Sequence, residues 1–127
     1  MDISALRRLG LINPGASEAR LEALNAGFGK RLPEEYVSFL QAANGVYLDN
    51  GLVLYGADDL VERNETMEVA LYAGDYLAVG DDSGGRAVLI PFARAGVYIV
   101  DQGSMDPADM REVGHSLRHW IATGCPL

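Results

Sequence analysis

The sequence predicts an α+β fold, and three observations predict it. Apolar runs at residues 76–79, 87–92 and 97–100 are separated by DDSGGR and ARAG, the pattern of strands joined by turns. Gly84 and Gly85 can supply the positive φ of the first connection and Gly96 that of the second, giving a three-stranded antiparallel meander. Upstream, residues 46–48 and 52–55 flank Asp49-Asn50-Gly51, a hairpin signal because Asn and Gly tolerate left-handed backbone. Between residues 17 and 43 the apolar period changes from two to 3.6, with helix start and stop residues in place.

Taken in order, Ile3, Leu6, Leu9, Leu11 and Ile12 predict a brief helix ended by Asn13-Pro14-Gly15. Ser17 is a good N-cap for a second helix, with Glu18 in its first turn and Leu21, Leu24 and Phe28 on one face. Gly27 and Gly29 are expected to close it. Pro33 fits the first helical position of a third helix, followed by Glu34 and Glu35 where acids suit the positive end of the helix dipole. Tyr36, Val37, Phe39, Leu40 and Ala43 form its apolar stripe, and Asn44-Gly45 its stop. After the hairpin, either Asp58 or Asp59 caps a short helix through Leu60 and Val61. Residues 64–74 fit a helix at Met67, Ala70 and Leu71, or a loop. Beyond the meander, Asp106-Pro107 opens a last helix with Met110, Val113, Leu117, Trp120 and Ile121 on one face and Gly114 as an interruption.

With 127 residues the chain fits one compact domain, residues 1–127, without repeats or linkers. Hydrophobic residues make up 49% and charged residues 22%, too apolar for a disordered chain. The longest apolar run, residues 87–93, is far too short to cross a membrane. An acid at position 2 and Arg7-Arg8 among the first apolar residues are the wrong order for a secretory signal. The single cysteine, Cys125, cannot form an internal disulfide, so the expected compartment is the cytoplasm. A free strand edge allows self-association, so the expected state is a monomer or a weak homodimer.

No residue set makes an active site, and the expected protein is not an enzyme. Asp82-Ser83-Gly84-Gly85 resembles the nucleophile turn of chymotrypsin-type proteases, but His115 and His119 follow Ser83, the reverse of that family's order. The same glycines could cradle a phosphate, which Asp81 and Asp82 would repel. His115 and His119, four apart, lack both the glutamate of a zinc-protease helix and a third ligand. Asp81, Asp82 and Asp101 lack EF-hand spacing, and Cys125 has no basic neighbour to activate it. The expectation is therefore no catalytic residue, no metal and no cofactor.

Charge is the more informative property. The net charge of −8 argues against a nucleic-acid partner, because phosphate binding needs a basic surface. Between positions 58 and 82 stand eight acids and one base, Arg63, so this stretch carries −7. Such a stretch is either a solvated face that keeps the chain in solution or a docking surface for a basic partner. On the second reading the partner-binding residues are Asp58, Asp59, Glu62, Glu65, Glu68, Asp81 and Asp82.

The order of motifs adds a family resemblance. Leu32-Pro33-Glu34-Glu35-Tyr36, Phe39-Leu40 and Asn44-Gly45 are followed by Leu54-Tyr55, Asp59-Leu60 and Asn64. Then come Tyr76-Leu77, Gly80-Asp81-Asp82, Gly84-Gly85, Val97-Tyr98 with Asp101, and Ser116-Leu117. This succession, over about residues 17–122, resembles the SUKH superfamily. Two places depart from the family pattern: Pro91-Phe92, where an acid is common, and the first sixteen residues. The resemblance implies a central, mostly antiparallel sheet, made of the hairpin and the meander, with helices packed against it. It also implies a binding module, because the family has no shared catalytic residues. Many bacterial members are immunity proteins that neutralise a toxin domain, often a nuclease or deaminase, whereas fungal members regulate or scaffold cell-wall assembly. The implied partner is a cognate, basic toxin domain, with an endogenous protein partner as the alternative.

Overall fold

The computed structural model describes residues 1–127 as an α+β fold with a central sheet and flanking helices. Seven strands lie in the order β1-β2-β3-β4-β5-β6-β7, each antiparallel to the next. They are β1 (Gly10–Pro14), β2 (Ala43–Leu48), β3 (Val53–Leu54), β4 (Tyr76–Asp81), β5 (Arg86–Pro91), β6 (Val97–Asp101) and β7 (Arg111–Gly114). Six α-helices accompany them: α1 (Ser4–Arg7), α2 (Glu18–Phe28), α3 (Glu34–Ala42), α4 (Leu60–Thr66), α5 (Val69–Tyr72) and α6 (Leu117–Ala122).

The expected meander is β4-β5-β6, and its runs are apolar because both faces of these strands are buried. Leu77, Val79, Val88, Ile90, Val97 and Ile99 join a core with residues of α1, α2, α3 and α6. Alternate residues Ala78, Ala87, Leu89 and Val100 join a second, smaller core beneath Met67, Val69, Ala73 and Met105. Helix α4 and its C-cap residue Met67 link the two layers, with Leu60 in the first and Met67 in the second. Pro91 ends β5, where its missing N–H costs the ladder nothing. The hairpin forms as β2-β3, with Gly51 at φ +95°.

The first-twelve-residue helix is corrected: it stops at Arg7, and Gly10–Pro14 becomes edge strand β1 against β2. Gly10 allows that pairing, because a Cβ there would lie 2.1 Å from the Tyr47 carbonyl oxygen. The last helix is corrected too. Pro107–Asp109 is a single 3-10 turn, Arg111–Gly114 pairs with β6, and a fresh helix starts at Ser116, whose hydroxyl accepts from the His119 N–H. A strand satisfies the backbone of residues 111–114 at the open edge of β6, and Gly114 admits Trp120, to whose Cβ a methyl there would approach within 2.9 Å.

Three smaller boundaries also shift. Pro33 is the N-cap of α3 rather than its first helical residue. Asn44-Gly45 does not end α3 in a loop, since the chain passes directly into β2 at Ala43. There Gly45 takes φ +93° and the Asn44 side chain accepts from the Ala57 N–H at 2.7 Å. Gly29, at φ +81°, caps α2 by itself, while Gly27 lies inside the helix.

Burial of ionisable groups that must stay neutral makes the fold alkali-sensitive. Burial pushes the Cys125 thiol up to about 12, and burial, followed by the influence of Asp59, raises the Tyr36 phenol. A group whose folded value is raised contributes stability below its unfolded value and loses it as pH rises past that point. Thermal melts between pH 8 and 12 should therefore show the midpoint falling from about pH 9 upward. A Cys125→Ala variant should lose the earliest part of that fall; an unchanged profile would remove Cys125 as its cause.

Candidate partner-binding surface

The acidic stretch folds into α4, α5 and the end of β4. Asp59 is the N-cap position of α4 but makes no side-chain cap. The helix instead begins on backbone bonds, including Arg63 N–H to the Asp59 carbonyl at 2.9 Å. The helix is held over the sheet by Asn64, a buried polar residue. Its amide donates to the Leu60 and Ala78 carbonyls and accepts from the Ala78 N–H, each at 2.9 Å. Strand β3 is only two residues long, so the Asn64 amide serves Ala78 on the flank of β4 where β3 has ended.

The seven candidate residues separate into two groups. Asp58 pairs with Arg20 of α2. Asp81 accepts the Tyr55 hydroxyl at 2.6 Å, and burial followed by that bond holds the Tyr55 phenol above its usual value. Asp82 accepts the Gly84 and Arg86 N–H groups and pairs with the Arg86 guanidinium at 2.8 Å. Partial burial works to raise the Asp82 carboxyl, yet these donors hold it below the ordinary value. By contrast Asp59, Glu62, Glu65 and Glu68 are exposed on the α4–α5 segment, and none forms an ion pair.

The glycine turn is self-contained. Ser83, at φ +61°, donates its hydroxyl to the Gly51 carbonyl at 2.6 Å and its N–H to Asp81. The Ser83, Gly84 and Arg86 amides of this turn are thus bonded to carboxylates rather than open to a phosphate, and the serine hydroxyl is spent on a carbonyl. His115 and His119 stack with ring centroids 4.2 Å apart, and no group of three or more metal-ligating side chains forms anywhere in the chain.

Two features had no clear signal in the sequence. One is an exposed network on the second face of the sheet, where Arg94 donates to the Tyr98 and Tyr76 hydroxyls at 2.6 and 2.9 Å and Tyr98 donates to Glu112 at 2.9 Å. The other is a groove between α2 and α4–α5. It consists of two cavities of about 570 and 500 Å³ that share Gly27 and Val61. Phe28, Val69 and Phe92 are part of its apolar lining, and Glu65 and Glu68 stand at its lip. Lys30 lies at the far end, donating to the Gly74 carbonyl at 3.1 Å with its ammonium 4.5 Å from the Phe92 ring centre. Periodicity places Leu21 and Leu24 toward the core correctly, but the width left between two helices depends on tertiary packing.

Glu68 sits at the α4–α5 junction with φ +53°. Left-handed backbone costs an L-residue about 1 kcal/mol relative to glycine. Glu68→Gly should therefore raise the unfolding free energy by about that amount, measured by denaturant titration. A loss of stability would mean that the glutamate side chain stabilises the junction.

A family model for the SMI1 / KNR4 family (SUKH-1) matches residues 15–123. No curated protein matches the sequence. No helix is long and apolar enough to cross a membrane.

Proposed function

The chain belongs to the SMI1 / KNR4 family (SUKH-1), and from that premise we propose that it is a cytoplasmic immunity protein that binds and neutralises a cognate toxin domain with a basic surface. The family includes toxin-immunity proteins and SMI1/KNR4 regulators, which are generally non-catalytic and bind protein partners. The observation that carries the reading is the row of carboxylates on α4–α5. Asp59, Glu62, Glu65 and Glu68 are exposed and make no ion pair within the fold, so their charge is free to meet a cation on another molecule. Neutralisation then needs no chemistry: a partner whose substrate groove is basic is blocked by occupying it. Opposite charges accelerate the encounter and make it sensitive to salt.

The experiment is capture of the tagged chain's partners from its own organism, followed by co-expression rescue against the toxin domain recovered. A stoichiometric partner with a basic domain, lost as salt rises, supports immunity. Recovery of envelope-assembly or other endogenous proteins would instead favour a regulatory scaffold. Charge reversal supplies the residue-level prediction. The triple variant Asp59→Lys, Glu62→Lys, Glu65→Lys should slow association at low salt by about tenfold or more with an unaltered melting curve. An association rate unchanged at low salt would remove this surface from the interface. Asp58 is left out because reversing it would also break the pair with Arg20.

A further inference from the structure

We propose that the groove between α2 and α4–α5 is the docking site for a polypeptide segment of the partner that carries an aliphatic or aromatic side chain flanked by lysine or arginine. The proposal rests on the protein-binding reading above and specifies what is bound and where. Its starting point is Gly27. Among the fifteen glycines of the chain, Gly27 alone has neither a positive φ nor any atom within 4 Å of the place a Cβ would occupy. The others meet backbone or side chains, or take a left-handed conformation. Gly27 lies in the last turn of α2, ahead of the true cap at Gly29, where glycine weakens a helix relative to any ordinary residue. Folding thus gains nothing from the missing side chain, whereas the groove does. Gly27 lines both cavities at the point where they join, and the space a Cβ would enter there is open.

The groove also states the chemistry of its occupant. α2 is 11 residues long, so the passage runs about 16 Å along it, room for a segment rather than a single small molecule. Phe28, Val61, Val69 and Phe92 offer an apolar floor for an anchoring side chain. At the lip Glu65 and Glu68 are exposed and make no ion pair, while the two nearby bases are engaged: Arg20 with Asp58, and Lys30 with the Gly74 carbonyl and the Phe92 ring. Arg20 and Asp58 cancel and Lys30 keeps its positive charge, but Glu65 and Glu68 outweigh it. The net charge along the groove is therefore negative, and an apolar anchor with basic flanks is its complement.

The test is an NMR titration of the full-length, nitrogen-15-labelled chain with a synthetic amphipathic peptide of leucine and lysine, and with its leucine–glutamate counterpart. Amide shifts concentrated at Gly27, Phe28, Val61, Glu65 and Phe92, with affinity at least about tenfold weaker for the acidic peptide, are expected. Gly27→Trp should abolish these shifts, because a Cβ at this position meets no atom of the fold and the indole beyond it would occupy space at the junction of the two cavities. Glu65→Lys with Glu68→Lys, both at exposed positions, should weaken the basic peptide in the same way and covers the case in which the tryptophan variant fails to fold. Shifts spread over the whole acidic surface and indifferent to Gly27→Trp would overturn the proposal. So would equal affinity for the two peptides, the absence of binding, or concentration-dependent shifts without peptide that mark a second copy of the chain as the occupant. In cells the two readings separate. A well-folded Gly27→Trp chain that protects against the toxin as the parent does sinks the groove and leaves immunity standing. Groove-specific peptide binding by a chain that protects against no toxin does the reverse.

Discussion

Replacing Asn64 with leucine should lower the unfolding free energy by about 3 kcal/mol, the summed cost of leaving buried polar groups without partners. The side chain is 8% exposed and its amide makes three hydrogen bonds, two of them to the N–H and C=O of Ala78. Leucine fills much of the volume but leaves both Ala78 groups unpaired on the flank of a central strand. Asn64→Asp separates hydrogen bonding from packing. Its carboxylate can still accept from the Ala78 N–H but faces the Ala78 carbonyl with no proton to offer. Burial should raise that carboxyl in the folded state, so its protonated form is stable at low pH and stability is lost as pH rises through the folded value. Denaturant titrations at pH 4 and pH 7 are expected to show the aspartate variant closer to the parent at the lower pH. Equal deficits at both would mean the amide contributes through shape alone. Because Asn64 also fixes α4 over the sheet, the acidic surface should lose its local order in these variants before the meander does, a difference visible in hydrogen exchange.

Trp120→Ala should cost about 4 kcal/mol, at the upper end for one large buried side chain. Trp120 is 1% exposed within the main core, among Leu117, Ile121 and Cys125. Its indole N–H donates to the Pro126 carbonyl at 2.7 Å, and the Cys125 N–H donates to the Trp120 carbonyl at 2.9 Å, so one residue fixes both α6 and the segment after it. Trp120→Phe keeps most of the buried area while removing the indole donor and should cost about 1–2 kcal/mol. The opposite perturbation sits across from it: Gly114→Ala would crowd the Trp120 Cβ and should cost about 1–3 kcal/mol by overpacking. Denaturation curves for the three variants check the order alanine worst, with the other two milder. If the phenylalanine variant were as damaged as the alanine one, the indole hydrogen bond rather than buried area would hold this end of the fold.

The parts of the fold legible in the sequence are those whose determinants lie next to one another in the chain. The meander was readable because β4, β5 and β6 are buried on both faces and so appear as unbroken apolar runs between glycine turns. α2 was readable because Ser17 caps it and Leu21 and Leu24 repeat at helical spacing. The two missed strands had no such signature. β1 and β7 are edge strands with mixed burial, and their residues 10–14 and 111–114 carry too few buried positions to show a period of two. In the second case Met110, Val113, Leu117, Trp120 and Ile121 fall at helical spacing by coincidence, across a strand, a bend and a short helix.

The candidate surface divides in the same way. The sequence by itself determined that the chain is an α+β protein with a meander, that it resembles one family, and that nearly all of its net charge lies between residues 58 and 82. Charge and local pattern are properties of neighbouring residues, so the chain states them directly. Only the tertiary structure decided which of those acids are engaged by Arg20, Tyr55 and Arg86 and which stay free on α4–α5. Only it revealed that Asn64 stands in for a missing strand partner and that Gly27 opens onto a groove. Each of these depends on residues far apart in sequence meeting at a distance set by packing, and spacing along the chain does not encode that distance.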